Sequence, residues 1–474
     1  MDATNSKRDT TKLQLVSLAS DGESHRGKAL TKLTYIAPLA PTSPIYTHLI
    51  HLDLFDCFVG ADDITADKDY KHIFKHLHNT LLREKGSLVR GVKLVPGLIC
   101  KHLQDTGHCN VHIEHILNPA DKQDVVLAYQ LLKDLWSLPP ANPDTSNQIY
   151  INVRDALRLY GKFSYHLIFP YICTELSLSE QLQHLSTAMH LGLALYVHND
   201  AKSLFILNTL FVDIGIMVKN VFFCVAKAKT DHPMVPFFIV LLGTDRLETL
   251  FGILRTMVGN DANLDMLQLT LRVTATTEVS NILARHPEWD RRPRQLQLPS
   301  VSQDMDTIPR TADHIGPGAY TSPQRLSPST VTLATPWKRG RLMAEDMYPW
   351  IKPILCCISA NENSSILAPY GFSLITSSHS PSHDDGFDDT DGSPSTYPVE
   401  GSNHTLVPIS QDVTAGMRQL EDTAADIESQ YNQTNGLRAF SSTVQIGGLT
   451  INKSWAISQQ FRYVTLASST DRLR

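Results

Sequence analysis

The chain is sparing with charge. Its 474 residues include 42 Lys and Arg against 48 Asp and Glu, a net charge of −6 with charged residues at 19%. That balance sets up no overall basic field, so any contact with phosphates would need basic side chains clustered locally. Disulfide chemistry is also missing: the seven cysteines are scattered, and only Cys356 and Cys357 are adjacent. Reduced thiols and an intracellular setting are expected. The opening MDATNSKRDTTK is polar and is not read as a signal peptide. No long apolar run is free of polar residues. The most apolar stretch, Leu204–Val225, carries Asn208, Asp213, Lys219 and Asn220. A spanning helix wants roughly 20 residues nearly devoid of charge, so a core helix is expected and no membrane segment. G-x-S-x-G, G-x-x-x-x-G-K-[ST] and H-E-x-x-H do not occur, which argues against an ordinary hydrolase.

What is present is helical periodicity around one stretch, Leu241–Arg272. Gly243 and Thr244 break an apolar run, Asp245 can cap, and Glu248 three residues later can close a capping box. Leu247, Leu250, Phe251, Leu254 and Val258 recur at helical spacing and predict one buried stripe. Asp245, Glu248, Gly252 and Arg255 fall on a neighbouring face. Upstream, Leu13–Ala19 reads as a buried strand ending in the turn Ser20-Asp21-Gly22. Such a turn places Asp21 at a strand's C-terminal end, where open α/β sheets gather their sites. In ADKDYKHIFKHLHNTLLREKG, Asp67 is a candidate N-cap, and Ile73, Phe74, Leu77 and Leu81 are the apolar face. Lys71, Lys75 and Arg83 could meet phosphates.

Residues 119–283 read as mainly helical. Pro119 and Asp121 are expected to start a helix that Pro139 and Pro140 stop, and Ser177 with Glu180 spells a capping box. Ser203–Lys227 reads as a buried helix broken near Gly215. Cys100, His102, His108, Cys109, His112 and His115 fail the paired spacing that structural zinc prefers; they read as partly exposed helix histidines and thiols. From Pro299 onward Ser, Thr, Pro and Asp rise and periodicity fades, with a short ordered piece expected at Met347–Ile375. The run Lys338-Arg339-Gly340-Arg341 is a nuclear-targeting candidate. The acidic Ser377–His404 is expected to be disordered, Ala415–Tyr431 a weak helix, and Ser442–Ser454 a hairpin with a Gly-Gly turn.

The segment GTDRLETLFGILRTMVGNDAN resembles the end of P-element-like transposases, where a QD-x-LE-x-xFG-x-xR-like pattern precedes a Gly-Asn-rich turn. The block HIFKHLHN…HILNPADKQDVVLAYQLLKDLW resembles mobile-element proteins of fungi. The resemblance, which extends to hAT-like enzymes, implies a ribonuclease-H-like core. It makes Glu248 the last catalytic acid and Asp21 the second, both as ligands for Mg²⁺. It also matches Asp69, His72, Lys75 and Asn79 to a D-x-x-H-x-x-K-x-x-x-N pattern, and Asp245 and Arg255 to the pattern around the last acid.

The expected fold is therefore α+β and mainly helical: a partial ribonuclease-H-like core at 13–118, a long α-helical insertion at 119–240 and final core helices at 241–298. Residues 1–12 are expected to be disordered, and the low-complexity C-terminal region, 299–474, mostly so, with a hairpin near 442–454. The family's first acid, on the opening strand, has no counterpart here, since Asp2 and Asp9 sit in a polar tail. The expectation is a transposase-derived protein truncated at its N-terminus, without strand cleavage and retaining DNA as a partner. A helical scaffold with an acidic tail is the alternative.

Overall fold

The computed structural model describes residues 14–20, 24–118, 124–144, 146–256, 265–286, 300–301, 307–308, 320–377, 443–446 and 449–452. The chain divides into two compact units, residues 1–253 with 274–386, and residues 254–273 with 387–474. The described residues are mainly helical, and every described sheet is two-stranded.

The first unit opens on strand β1 (Ser17–Ser20), helix α1 (Ser24–Thr34), β2 (Ala37–Pro38), α2 (Tyr46–Leu49), β3 (Phe58–Val59) and β4 (Thr65–Lys68). β1 pairs parallel with β4, Ser17 opposite Thr65 and Ser20 opposite Lys68. Both strands therefore end at the same edge. The strand expected over Leu13–Ala19 is shorter than its apolar run and only half-buried. β2 and β3 form a second, antiparallel ladder.

Helix α3 (Tyr70–Leu81) follows β4 at once. Its N-cap is Asp69, whose carboxylate accepts from the amides of Lys71 and His72. This corrects the expectation for Asp67, which is buried within β4. A ladder of β5 (Ser87–Val89) and β6 (Val92–Leu94) leads to α4 (Pro96–Gln104), α5 (Asn110–Ile116) and α6 (Val125–Trp136). Asp124 caps α6, accepting from Val126 and Leu127; the start expected at Pro119 and Asp121 lies outside the described residues. Three long helices come next: α7 (Gln148–Ile172), α8 (Leu178–Val197) and α9 (Asn208–Asp231). The Ser177–Glu180 capping box at the start of α8 is formed in both directions. Gly161 lets α7 cross α6 closely, since a Cβ there would sit 2.6 Å from the Trp136 nitrogen.

One apolar core joins these helices, with Phe74, Tyr160, Phe163, Phe205, Phe211 and Phe222 fully buried. Each such side chain contributes about 1.5–3 kcal/mol by leaving water. α9 runs unbroken through Gly215, against the break expected there. It is the one described helix long and apolar enough to cross a membrane, and most of it is buried within the fold. Its polar residues have specific uses. Lys219 pairs with Asp56 at 2.6 Å. Asn220 accepts from the Thr65 hydroxyl at 2.6 Å. Asp213 pairs with Lys68 at 3.0 Å, and Lys227 donates to the Val16 carbonyl at 2.6 Å. Of the polar side chains that interrupt the apolar run, Asp213, Lys219 and Asn220 thus fasten the strand region to this helix.

After α10 (Asp245–Thr256) and α11 (Met266–Arg285), short strands β7 (Ser300–Val301) and β8 (Thr307–Ile308) form a small ladder. Residues 320–377, expected to belong largely to a low-complexity tail, instead fold onto the helical body. They carry α12 (Ala334–Met347), α13 (Ile351–Ser359) and α14 (Leu374–Ser377). Gly340 seats α12 on α8, where a Cβ would lie 2.5 Å from Ser186 Cβ. The Ser186 hydroxyl donates to the Trp337 carbonyl at 2.7 Å, and the Trp337 indole donates to the Asp53 carbonyl at 2.8 Å. Tertiary burial overrode composition here: α12 buries Pro336, Trp337, Gly340 and Ala344 against the helical body. In the Lys338–Arg341 run only Lys338 and Arg339 are exposed. Arg341 is paired with Glu345 and Asp53. The second unit holds the expected hairpin, β9 (Thr443–Ile446) against β10 (Leu449–Asn452). Most of Ser377–His404 and all of Ala415–Tyr431 lie outside the described residues.

Candidate functional site

The period-2 alternation Thr65-Ala66-Asp67-Lys68-Asp69 points Thr65, Asp67 and Asp69 to one side of the extended chain. Thr65 is held by Asn220 on α9. The other two reach the loop before α10. Asp67 accepts from Gly243 N–H at 2.8 Å and from Lys68 N–H at 2.9 Å. Asp69 accepts from the Thr244 amide at 2.8 Å and the Thr244 hydroxyl at 3.2 Å through one oxygen. Its other oxygen takes the Lys71 and His72 amides at 2.8 and 3.2 Å. One carboxylate therefore links the starts of α3 and α10, where amides lack intrahelical partners and helix dipoles favour negative charge. Gly243 makes the approach possible: its φ is +91°, and a Cβ there would stand 2.7 Å from the Asp69 carboxylate.

The two acids respond to this setting in opposite ways. Burial pushes the Asp67 carboxyl up to about 7, against the pull of the Gly243 and Lys68 amides. Burial acts on Asp69 too, but the His72 imidazole at 3.3 Å and the Thr244 and His72 amides outweigh it. They hold Asp69 well below the usual carboxylate range. The signs for stability follow. The proton on Asp67 contributes stability that is fully present below about 3.8 and is lost as pH rises through about 7. The Asp69 contribution is present above about 3.8 and is lost as pH falls below it. Relative to Asp67→Asn, the wild-type chain is expected to lose on the order of 2–3 kcal/mol of unfolding free energy between pH 5 and 8. Urea melts of both proteins across that range check it; parallel curves would refute a buried, proton-binding Asp67.

Glu248 lies in the first turn of α10, at this same edge. Its expected capping box is not formed as drawn. The Thr244 carbonyl accepts from the Leu247 and Glu248 amides at 2.8 and 3.0 Å, so Thr244 holds the cap position and Asp245 opens the helix proper. The Asp245 side chain is outside the described residues. The Glu248 carboxylate is 57% exposed and stands 3.9 Å from His72 Nε2. The predicted apolar stripe is also only partly realised. Leu254 is buried and Leu250 half-buried, but Leu247 and Phe251 are 49% and 39% exposed. Val258 lies outside the described residues. Periodicity marked the apolar face correctly, but it could not say whether a neighbour covers it.

Asp21 also lies outside the described residues. Ser20, its predecessor, is paired with Lys68, one residue before Asp69. The chain positions leading to Asp21, Asp69 and Glu248 thus converge on one strand edge. The remaining family-matched positions do other work or stand apart. Asn79 is buried beside His78, its amide oxygen 3.3 Å from His78 Nδ1. Lys71 and Lys75 are half-buried on α3, and Arg83 gives its Nε to the Thr80 carbonyl at 3.2 Å. Arg255 is exposed at the end of α10. Asp67, Gly243 and Thr244 were not singled out for this edge by the sequence. The alternation through Thr65, Asp67 and Asp69 was the signal available for the first; the other two depend on a contact some 175 residues away along the chain.

A hard cation such as Mg²⁺ needs charged oxygen ligands with free lone pairs. Both oxygens of Asp67 and of Asp69 already accept from backbone amides, which leaves Glu248 as the open carboxylate among the described residues at this edge. Among the described side chains at this edge, Glu248 by itself does not supply the several shared carboxylates that a pair of Mg²⁺ ions wants.

No family model matches this chain, and no curated protein matches it. Among solved structures it is similar to the Drosophila P element transposase strand transfer complex, with a TM-score of 0.38 and 18% identity, over 57% of this chain and 62% of that chain. The chain thus spans less than two thirds of that structure's chain.

Proposed function

We propose that this is a transposase-derived protein that has kept the frame of a nucleic-acid-processing edge without strand-cleaving activity. The observation that supports it most is the parallel β1–β4 pair whose shared end is latched to the start of α10 by Asp67 and Asp69. Sites in open α/β sheets collect at such ends. The latch brings the segment resembling the transposase C-terminal pattern to the strand that precedes Asp21. Asp21 and Glu248 are the residues that would face Mg²⁺ in an ancestral enzyme. The engagement of Asp67 and Asp69 by backbone amides supports loss of cleavage, and Lys71, Lys75 and Arg83 are the proposed remnants of DNA contact.

The test is a nicking assay on duplex DNA with Mg²⁺ or Mn²⁺. No cleavage above background is expected, with Glu248→Gln indistinguishable from wild type. Cleavage that disappears in Glu248→Gln would overturn the inactive reading. Duplex binding is expected to weaken steeply with added salt, and binding that is absent at low salt would remove the DNA assignment. The exposed Leu247 and Phe251 favour a second reading, an interaction scaffold, which that last outcome would select.

A further inference from the structure

A second cluster of chemistry lies on other elements, between α5 and α6, and owes nothing to the transposase reading. α5 and α6 pack side by side, and three side chains meet between them. His112 on α5 places Nε2 2.7 Å from Asp134 Oδ2 on α6. His108, in the turn before α5, places Nδ1 3.9 Å from the same oxygen. The two imidazole rings stack at 5.5 Å and 19°. The three ligand atoms all lie within 4.8 Å of one another. Gly107, at φ +91°, reverses the chain just before His108 and lets its ring come back over the helix.

We propose that His108, His112 and Asp134 form a binding site for a transition-metal dication such as Zn²⁺, with one coordination position open to solvent. Two imidazoles and one carboxylate are ligands of the right softness and charge for that ion. Tetrahedral ligands at about 2.0–2.1 Å from zinc sit ~3.3 Å apart. The distances of 2.7 and 3.9 Å bracket that value, so small side-chain rotations suffice. A single carboxylate oxygen now faces two ring nitrogens, and a dication would satisfy all three groups together. Half-exposed side chains give the ion a way in.

Reading along the chain could not find this site, because the third ligand comes from the next helix. The other histidines and cysteines of the Cys100–His115 run are not its members. His102 is buried, and its Nδ1 accepts from Arg154 at 2.9 Å. Burial and that guanidinium lower its pKa to about 4.

The test uses the full-length, tag-free chain and Co²⁺ as a visible probe. One equivalent is expected to give the absorption of a four-coordinate centre, bleached by Zn²⁺. His108→Ala, His112→Ala and Asp134→Asn should each weaken binding by at least about tenfold. His184→Ala, at a buried histidine pair elsewhere, should leave it unchanged. Circular dichroism of His108→Ala, whose site is a surface turn, separates lost ligation from lost folding. Absence of the Co²⁺ spectrum, or its survival in a folded His108→Ala/His112→Ala chain, would overturn the assignment.

Discussion

Replacing Lys219 by alanine is expected to lower the unfolding free energy by about 3–5 kcal/mol, the usual consequence of stripping one partner from a buried ion pair. Its ammonium is fixed from several sides. It pairs with Asp56 at 2.6 Å and donates to the Phe58 carbonyl. It also lies 4.9 Å from the centre of the Tyr35 ring. Asp56 is 2% exposed and also accepts from the Tyr35 hydroxyl at 2.7 Å and the Phe58 amide at 3.1 Å. Without the lysine, a carboxylate would remain in the core with hydrogen bonds but no countercharge. The loss would not be local, because this pair ties β3 to α9. Urea denaturation at neutral pH measures it. Lys219→Met combined with Asp56→Asn should recover part of the loss, since the orphaned charge is then gone. A loss below about 1 kcal/mol for Lys219→Ala would show that the pair is solvated in practice.

Asp69→Ala is the second large effect, about 2–3 kcal/mol from a lost N-cap together with the unsatisfied Thr244 amide. It differs from Lys219→Ala in its signature. The carboxylate joins two helix starts, so its removal should loosen α10 more than the remote helices α7 and α8. Amide hydrogen exchange is the appropriate readout: faster exchange is expected at Leu247 and Glu248, whose amides bond to the Thr244 carbonyl, with α8 unchanged. Asp69→Asn keeps one acceptor oxygen and should fall between alanine and wild type. Unchanged protection of α10 in Asp69→Ala would mean the latch does not hold the helix. It would also remove the structural support for placing Glu248 at the strand edge.

Local signals were legible where the partner lies close in sequence. The Ser177–Glu180 box, the apolar face of α3 and the hairpin at the C-terminal end each depend on neighbours three or four residues away, or just across a turn. The stripe on α10 shows the limit of such signals. Spacing defines which side of a helix is apolar, whereas burial of Leu247 and Phe251 would need another element, and none among the described residues covers them. Composition misjudged residues 320–377 for a related reason. A short amphipathic helix with Trp337 and Gly340 gains its stability from a groove built by α8, which lies more than 130 residues upstream.

The sequence alone determined that this chain is mainly helical and that its most apolar helix belongs in a core. Helix periodicity, caps and interrupted apolar runs act within a few residues, so a linear reading contains them. The tertiary structure alone decided which acids are engaged and which are open. Asp67 and Asp69 are bound to backbone amides some 175 residues away, Lys219 neutralises Asp56 from 163 residues away, and Asp134 joins His112 of the preceding helix and His108 in the turn before it. Those pairings arise because excluding water from a shared core forces each buried charge to find a partner across it. The chain order does not specify which partner that is.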